Sequence, residues 1–275
     1  MSPRRLLVPA VAFVAALVLA VVAFTSDDAP VTVDTGGVAG PDASPTTTTA
    51  PGTDEPTDAA TEPDEGAPSV ARMDPLRLAE DREGMAIGDP DAPLVMVAFE
   101  SFGCLWCGNF HRTTMPMVLE EYVETGQLRI ETRMLPYEAR AVPGARIGAA
   151  AGMQDRYWAL AEHLYPFIAG SGEPPVGRDL TSQELDAYRD RQAEEALLDR
   201  VEQVAEEIDL DLEQFLADYR SEEVAEVVAA DQQLAYQVGF TGTPAFVVNG
   251  VPLGGYAGPE RFEEYLDAVL DATRG

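Results

Sequence analysis

Cys104 and Cys107 are the chain's two cysteines, and Leu105 and Trp106 separate them. The apolar run Leu94 to Phe99 before them has the character of a buried strand, and a helical pattern follows them to about Glu124. Cys104 therefore falls just ahead of the first helical turn, where unpaired backbone N–H groups and the helix dipole stabilise a thiolate. Cys107, one turn further on, is close enough to close a disulfide and is expected to be the less exposed of the two. The chemistry this spacing suits is thiol–disulfide exchange, with Cys104 attacking or attacked and Cys107 resolving the mixed disulfide. Two other readings stay open. An inert disulfide would close a very small loop and so stabilise the fold little. A metal site on Cys104, Cys107 and His111 would need a fourth ligand, and the other histidine, His163, lies far along the chain.

The elements that must position this pair are legible in the pattern. The domain opens with Met85-Ala-Ile and a Gly88-Asp89-Pro90 turn. Pro116 predicts a kink in the helix after the cysteines, and Gly126 supplies its stop. Leu128 to Met134 alternates apolar and polar residues as a second strand. Arg146 to Phe167 is helical and rich in Ala and aromatics, and Tyr157, Trp158 and His163 are expected to pack within it. Thr181-Ser-Gln-Glu184 is a capping box before a charged helix, and Leu212 to Tyr219 is a short helix. Ser221 caps another, with Val224, Val227, Val228, Ala235 and Val238 on its apolar face. Gly242-Thr243-Pro244 leads into the strand Ala245 to Val248, and Asn249-Gly250 is a hairpin turn. Gly258 and Pro259 start a last helix with Phe262, Leu266, Val269 and Leu270 on one face. No internal repeat is visible. The order is that of an α/β thioredoxin-like fold with a helical insertion, about residues 140–240, between its two halves.

Gly88-Asp-Pro-Asp-Ala-Pro93, the strand to Phe99, Cys104-x-x-Cys107, Phe110-His111, and Gly242-Thr-Pro-Ala-Phe246 followed by Asn249-Gly250 resemble the exported DsbA-like thiol–disulfide oxidoreductases. The resemblance covers roughly Met85 to Leu270. It implies that Pro244 is cis and lies against the cysteine pair, and that Thr243 offers its backbone to a bound peptide in strand-like fashion. It also implies reoxidation by a quinone-linked membrane partner of the DsbB or vitamin K epoxide reductase type, and no organic cofactor. Trp106 is a candidate substrate-contacting aromatic or a cap over the disulfide.

The departures from the family pattern concern proton transfer. Members commonly carry a buried acid six residues before the first cysteine, and here that residue is Ala98. Glu100 lies on the same strand face by period two and is either a substitute acceptor or a solvated rim residue. Asp231, on an otherwise apolar helix face, is either a partly exposed hydrogen-bonded acid or a relocated acceptor. His111 is expected to be structural rather than a proton shuttle. Leu105-Trp106 supplies no cation to the thiolate, so its stabilisation should rest mainly on the helix terminus, against the negative field of the domain.

Forty-eight acids face eighteen basic residues, all arginine, for a net charge of −30. That balance argues against nucleic acid or anionic lipid bound through a basic surface. From Glu83 onward 13 Arg face 35 acids, net −22, so the acidity extends through the domain. A saline habitat and simple solubility are both open explanations, and neither reveals function. Two cysteines exclude a disulfide-stapled scaffold and a four-cysteine zinc or iron–sulfur site.

Met1 to Arg5 carries Arg4 and Arg5, and Leu6 to Phe24 then runs nineteen residues without a charge. This is the pattern of a membrane anchor with a cytoplasmic N-terminus at residues 1–5 and the bulk of the protein outside. A cleaved signal peptide and a twin-arginine export signal are the alternatives. Residues 25–71, rich in Thr, Pro, Asp, Ala and Gly, are expected to form an acidic, disordered tether. The domain is expected over 72–275. The function these features suggest is a membrane-tethered enzyme that introduces disulfides into cysteine-containing exported proteins. A reductase or isomerase of the same fold, or a non-catalytic anchored binding module, are the rivals.

Overall fold

The computed structural model describes Met73, Leu76, Arg77 and residues 80–274 except 176, 177 and 257; the side chains of 80 and 81 are also outside the described set. The expected anchor at 6–24 and tether at 25–71 lie outside the described residues. Among the described residues no helix is long and apolar enough to cross a membrane.

Five strands form one mixed sheet: β1 (Ala86–Ile87), β2 (Leu94–Glu100), β3 (Leu128–Met134), β4 (Ala245–Val248) and β5 (Val251–Gly254), in the order β1-β3-β2-β4-β5. β2 runs parallel to β3 and antiparallel to β4, with Ala98 opposite Phe246 and Thr132. Every residue of β2 is buried, as its unbroken apolar run implies for a strand covered on both faces. The turn between β4 and β5 uses Asn249 and Gly250, both at positive φ (47° and 84°), the conformation that makes Asn-Gly a hairpin signal.

Each face of β2 meets a different layer. Leu94, Met96 and Ala98 pack with Phe246 and Val248 against Phe110 of α1 (Leu105–Thr113) and Phe262 and Leu266 of α9 (Pro259–Arg274). Val97 and Phe99 pack on the other side with Val247, Leu135 and Ala235. The long pattern after the cysteines breaks where Pro116 predicts: α1 ends at Thr113, α2 covers Met115–Val118, and a π turn carries on to Val123.

Between β3 and β4 the described residues form six α-helices: α3 (Val142–Gly152), α4 (Tyr157–Ala169), α5 (Ser182–Gln192), α6 (Glu194–Val204), α7 (Leu212–Arg220) and α8 (Glu222–Gln237). The Thr181–Glu184 capping box forms in full ahead of α5. Val224, Val228 and Ala235 are buried on α8, whereas Val238, beyond its last turn, is exposed. Glycines let this insertion approach the redox segment. A Cβ on Gly108 of α1 would lie 2.7 Å from the Tyr165 carbonyl of α4, and one on Gly144 of α3 would lie 2.3 Å from the Gly103 nitrogen.

The alternating polar residues of β3 do not face water. Arg129, Glu131 and Arg133 are all buried. Glu131 takes Arg129 Nε (2.9 Å) and Arg77 Nε (2.7 Å), and Arg129 also pairs with Glu83. This face of the strand is an ionic layer beneath the N-terminal part of the domain.

Candidate active site

Cys104 is the N-cap of α1, in extended backbone conformation, and its sulfur accepts the Cys107 N–H at 3.1 Å. Strand β2 ends four residues earlier, so the Ser101-Phe-Gly turn delivers the sulfur to a helix N-terminus, where free amides converge. The Cys104 thiol also reaches the Thr243 carbonyl at 3.5 Å. The Thr243–Pro244 peptide is cis, as the resemblance implies.

The two thiols are driven apart electrostatically. Burial pushes Cys104 up, but hydrogen bonds involving the Cys107 thiol, Thr243 and the amides of Cys107 and Trp106 outweigh it and hold it below the ordinary thiol value. Burial, then the hydrogen bond and charge of Cys104 and the charge of Glu100, push Cys107 well above it. The expected difference in exposure is slight, since Cys104 is 2% exposed and Cys107 is fully buried. Hydrogen bonding and charge, rather than access, distinguish them.

The peptide before Cys104 is held by side chains that no local pattern announces. The Gly103 carbonyl accepts hydrogen bonds from Tyr188 Oη (2.8 Å), Gln192 Nε2 (2.8 Å) and Tyr137 Oη (3.2 Å). Burial first, and then the charge of Cys104, raise both phenols, Tyr188 to about 12 although its bond with Tyr137 offsets part of the rise. The helical insertion thus grips the reactive turn directly.

Beneath the pair, Glu100 is fully buried, which removes the rim reading. Its carboxylate lies 3.0 and 3.1 Å from His111 Nε2 and accepts Tyr165 Oη at 3.4 Å. The His111 ring stacks on Tyr165 at 3.7 Å, and Tyr165 meets the Tyr157 hydroxyl at 3.0 Å. Burial and the Glu100 charge raise both of these phenols well above their ordinary range. Ala98 sits in the apolar cluster with Phe110 and Phe246. Glu100, two residues along the same face, reaches polar partners instead. Tyr157 packs inside the insertion as expected, and also ends this buried polar chain.

Asp231 belongs elsewhere, and it is fully buried rather than partly exposed. Its carboxylate takes both Arg82 guanidinium nitrogens (2.7 and 2.8 Å), Arg133 Nη1 (2.8 Å) and the Met134 N–H (3.0 Å). Two guanidiniums and an amide occupy its oxygens, so it extends the ionic layer of β3. Trp106 is 36% exposed beside the buried sulfurs. His163 lies 3.9 Å from Glu207, and among the described residues no group of three His, Cys, Asp or Glu is placed to hold a metal ion.

A nucleophile-bearing turn between a central strand and a helix N-terminus, opposed across the sheet by a proline loop, defines a redox protein built on the thioredoxin fold. The chain belongs to the thioredoxin family, whose model matches residues 80–268, and it is a DsbA-like thiol–disulfide oxidoreductase. Among curated proteins it is 29% identical over 171 residues to a probable disulfide bond formation protein D of Bacillus anthracis, covering 60% of this chain and 69% of the relative. Among solved structures, Wolbachia pipientis alpha-DsbA1 superposes with a TM-score of 0.54 at 21% identity, covering 69% of this chain and 92% of that one. Oxidised BdbD of Bacillus subtilis gives 0.52 at 17% identity, covering 75% and 97%.

Proposed function

We propose that the protein introduces disulfides into exported client proteins through the Cys104–Cys107 pair. The observation that carries this is the placement of the pair: Cys104 caps the helix, where its sulfur accepts the Cys107 N–H, and Cys107 lies fully buried one turn on. In the oxidised enzyme a client thiolate attacks Cys104 Sγ. The Cys104–Cys107 bond breaks, and Cys107 leaves and takes up a proton. A second client thiolate then attacks the client sulfur of the mixed disulfide, expelling Cys104 as the thiolate its surroundings favour. The client dithiol is oxidised by two electrons and the enzyme pair is reduced.

A stabilised Cys104 thiolate favours the reduced enzyme and so makes the disulfide a stronger oxidant. Glu100 is the group assigned to exchange the Cys107 proton, since its charge acts on that thiol and His111 and Tyr165 fix its carboxylate. Thr243 presents backbone to the client and Trp106 covers its approach. Equilibration against glutathione should give a reduction potential above about −200 mV, in the range of oxidising family members. A value near about −270 mV would make the protein a reductase.

The partner that restores the disulfide is assigned as a quinone-linked membrane protein of the DsbB or vitamin K epoxide reductase type. Residues 6–24 are assigned as the anchor that keeps the domain outside the membrane, on the strength of their charge-free run behind Arg4 and Arg5. The full chain should stay with membranes through an alkaline wash. Release of a shortened chain beginning near Phe24 would instead identify a cleaved signal peptide.

A further inference from the structure

Gln192, whose Nε2 holds the Gly103 carbonyl, is 2% exposed, and its Oε1 is buried with no hydrogen-bond partner among the described residues. Turning the amide over would set oxygen against the Gly103 oxygen, so the unsatisfied atom is the acceptor. Gln192 lines a surface cavity of about 300 Å³ together with Arg140, Arg189 and Glu194. A second cavity of about 330 Å³ shares Pro143 and Glu194 with the first and adds Arg146 and Arg220. Four arginines thus line two adjoining cavities in a domain where, from Glu83 onward, 13 Arg face 35 acids.

Two of these arginines, Arg140 and Arg189, are lightly committed. Arg140 reaches Glu138, and Arg189 reaches Asp186, each at 3.3 Å with about half of the arginine side chain exposed. Pairs so exposed are weak and readily exchanged. Arg146 donates to the carbonyls of Tyr219 and Ser221, and Arg220 to that of Leu216. Glu194, the carboxylate in the lining, accepts the Tyr219 hydroxyl at 2.7 Å.

We propose that this arginine-lined groove is a subsite for an acidic segment of the client polypeptide. Client carboxylates lie against Arg140 and Arg189, in a cavity whose wall Gln192 completes. This rests on the oxidase reading and extends it, because Gln192 links the groove to the residue before Cys104. The rest of the acidic surface repels such a segment, so local cations decide where it docks.

Binding can be measured without any exchange chemistry. The probe is a fluorescent nonapeptide with serine in place of cysteine and glutamate on both sides, compared with its glutamine counterpart by anisotropy at low salt. The Glu peptide should bind the wild-type protein at least about fivefold more tightly, and the advantage should vanish in Arg140→Gln/Arg189→Gln and in about 0.5 M salt. Equal affinity of the two peptides for the wild type, or an advantage undiminished in the double variant, would overturn the subsite. Oxidation of the cysteine-containing Gln peptide by the wild type separately tests the oxidase reading, which a failed subsite leaves standing.

Discussion

Cys107→Ala will accumulate mixed disulfides with clients through Cys104, whereas Cys104→Ala will trap almost none. The asymmetry follows from the positions of the sulfurs. Cys104 caps the helix and its sulfur accepts the Cys107 N–H, so it stands at the helix terminus with its thiolate favoured. Cys107 sits behind it, fully buried, where burial and the charges of Cys104 and Glu100 favour the thiol. Without Cys107, the link between Cys104 and a client has no internal thiol to resolve it and persists until an external one arrives. Non-reducing electrophoresis should show at least about tenfold more trapped client for Cys107→Ala. Equal trapping by both variants would contradict the assigned roles. The lowered Cys104 pKa sets the accompanying pH dependence. Its alkylation should persist as pH falls below the ordinary thiol range, while reduced Cys107 stays unreactive until well above it.

Asp231→Ala should be among the most destabilising single changes in the domain, and it should leave the redox chemistry alone. Asp231 is fully buried, and Arg82 and Arg133, mostly buried themselves, share its carboxylate. Removing it strands two guanidiniums and the Met134 amide. Breaking a buried pair in this way costs about 3–5 kcal/mol, on the order of 10 °C in unfolding midpoint for a domain of this size. The reduction potential and the rate of peptide oxidation by the folded fraction should stay within about twofold of wild type, since none of these bonds touches either cysteine. A stable variant with slowed oxidation would return Asp231 to the role of proton acceptor.

Much of the frame was legible because local rules and tertiary packing agree. The run Leu94 to Phe99, the Pro116 break, the Thr181 box and Asn249-Gly250 each carry their meaning within a few residues, and each appears where the pattern places it. The cysteine spacing was equally local. What escaped needed partners distant in sequence. Alternation in β3 suggests one solvated face, yet Arg77, Glu83 and Asp231 close that face with charges drawn from the N-terminal segment and α8. Period two places Glu100 beneath Ala98, but the arrival of His111 from α1 and Tyr165 from α4 makes it a held carboxylate rather than a rim acid. Tyr137, Tyr188 and Gln192 carry no motif, and their convergence on one carbonyl exists only once the insertion has folded back.

That convergence ties the reactive turn to the opening of a remote helix. Tyr188 and Gln192 stand one turn apart on α5 and bond to a carbonyl 85 and 89 residues earlier in the chain. When α5 frays or detaches, Gly103 loses two donors together, and the amides that face Cys104 lose the anchor of the preceding peptide. In amide-exchange terms, the first turn of α1 and the last turns of α5 should be protected and released together. The Thr181–Glu184 box, far from the sulfurs along the chain, therefore contributes to how much of the time the enzyme's nucleophile is held in its working geometry.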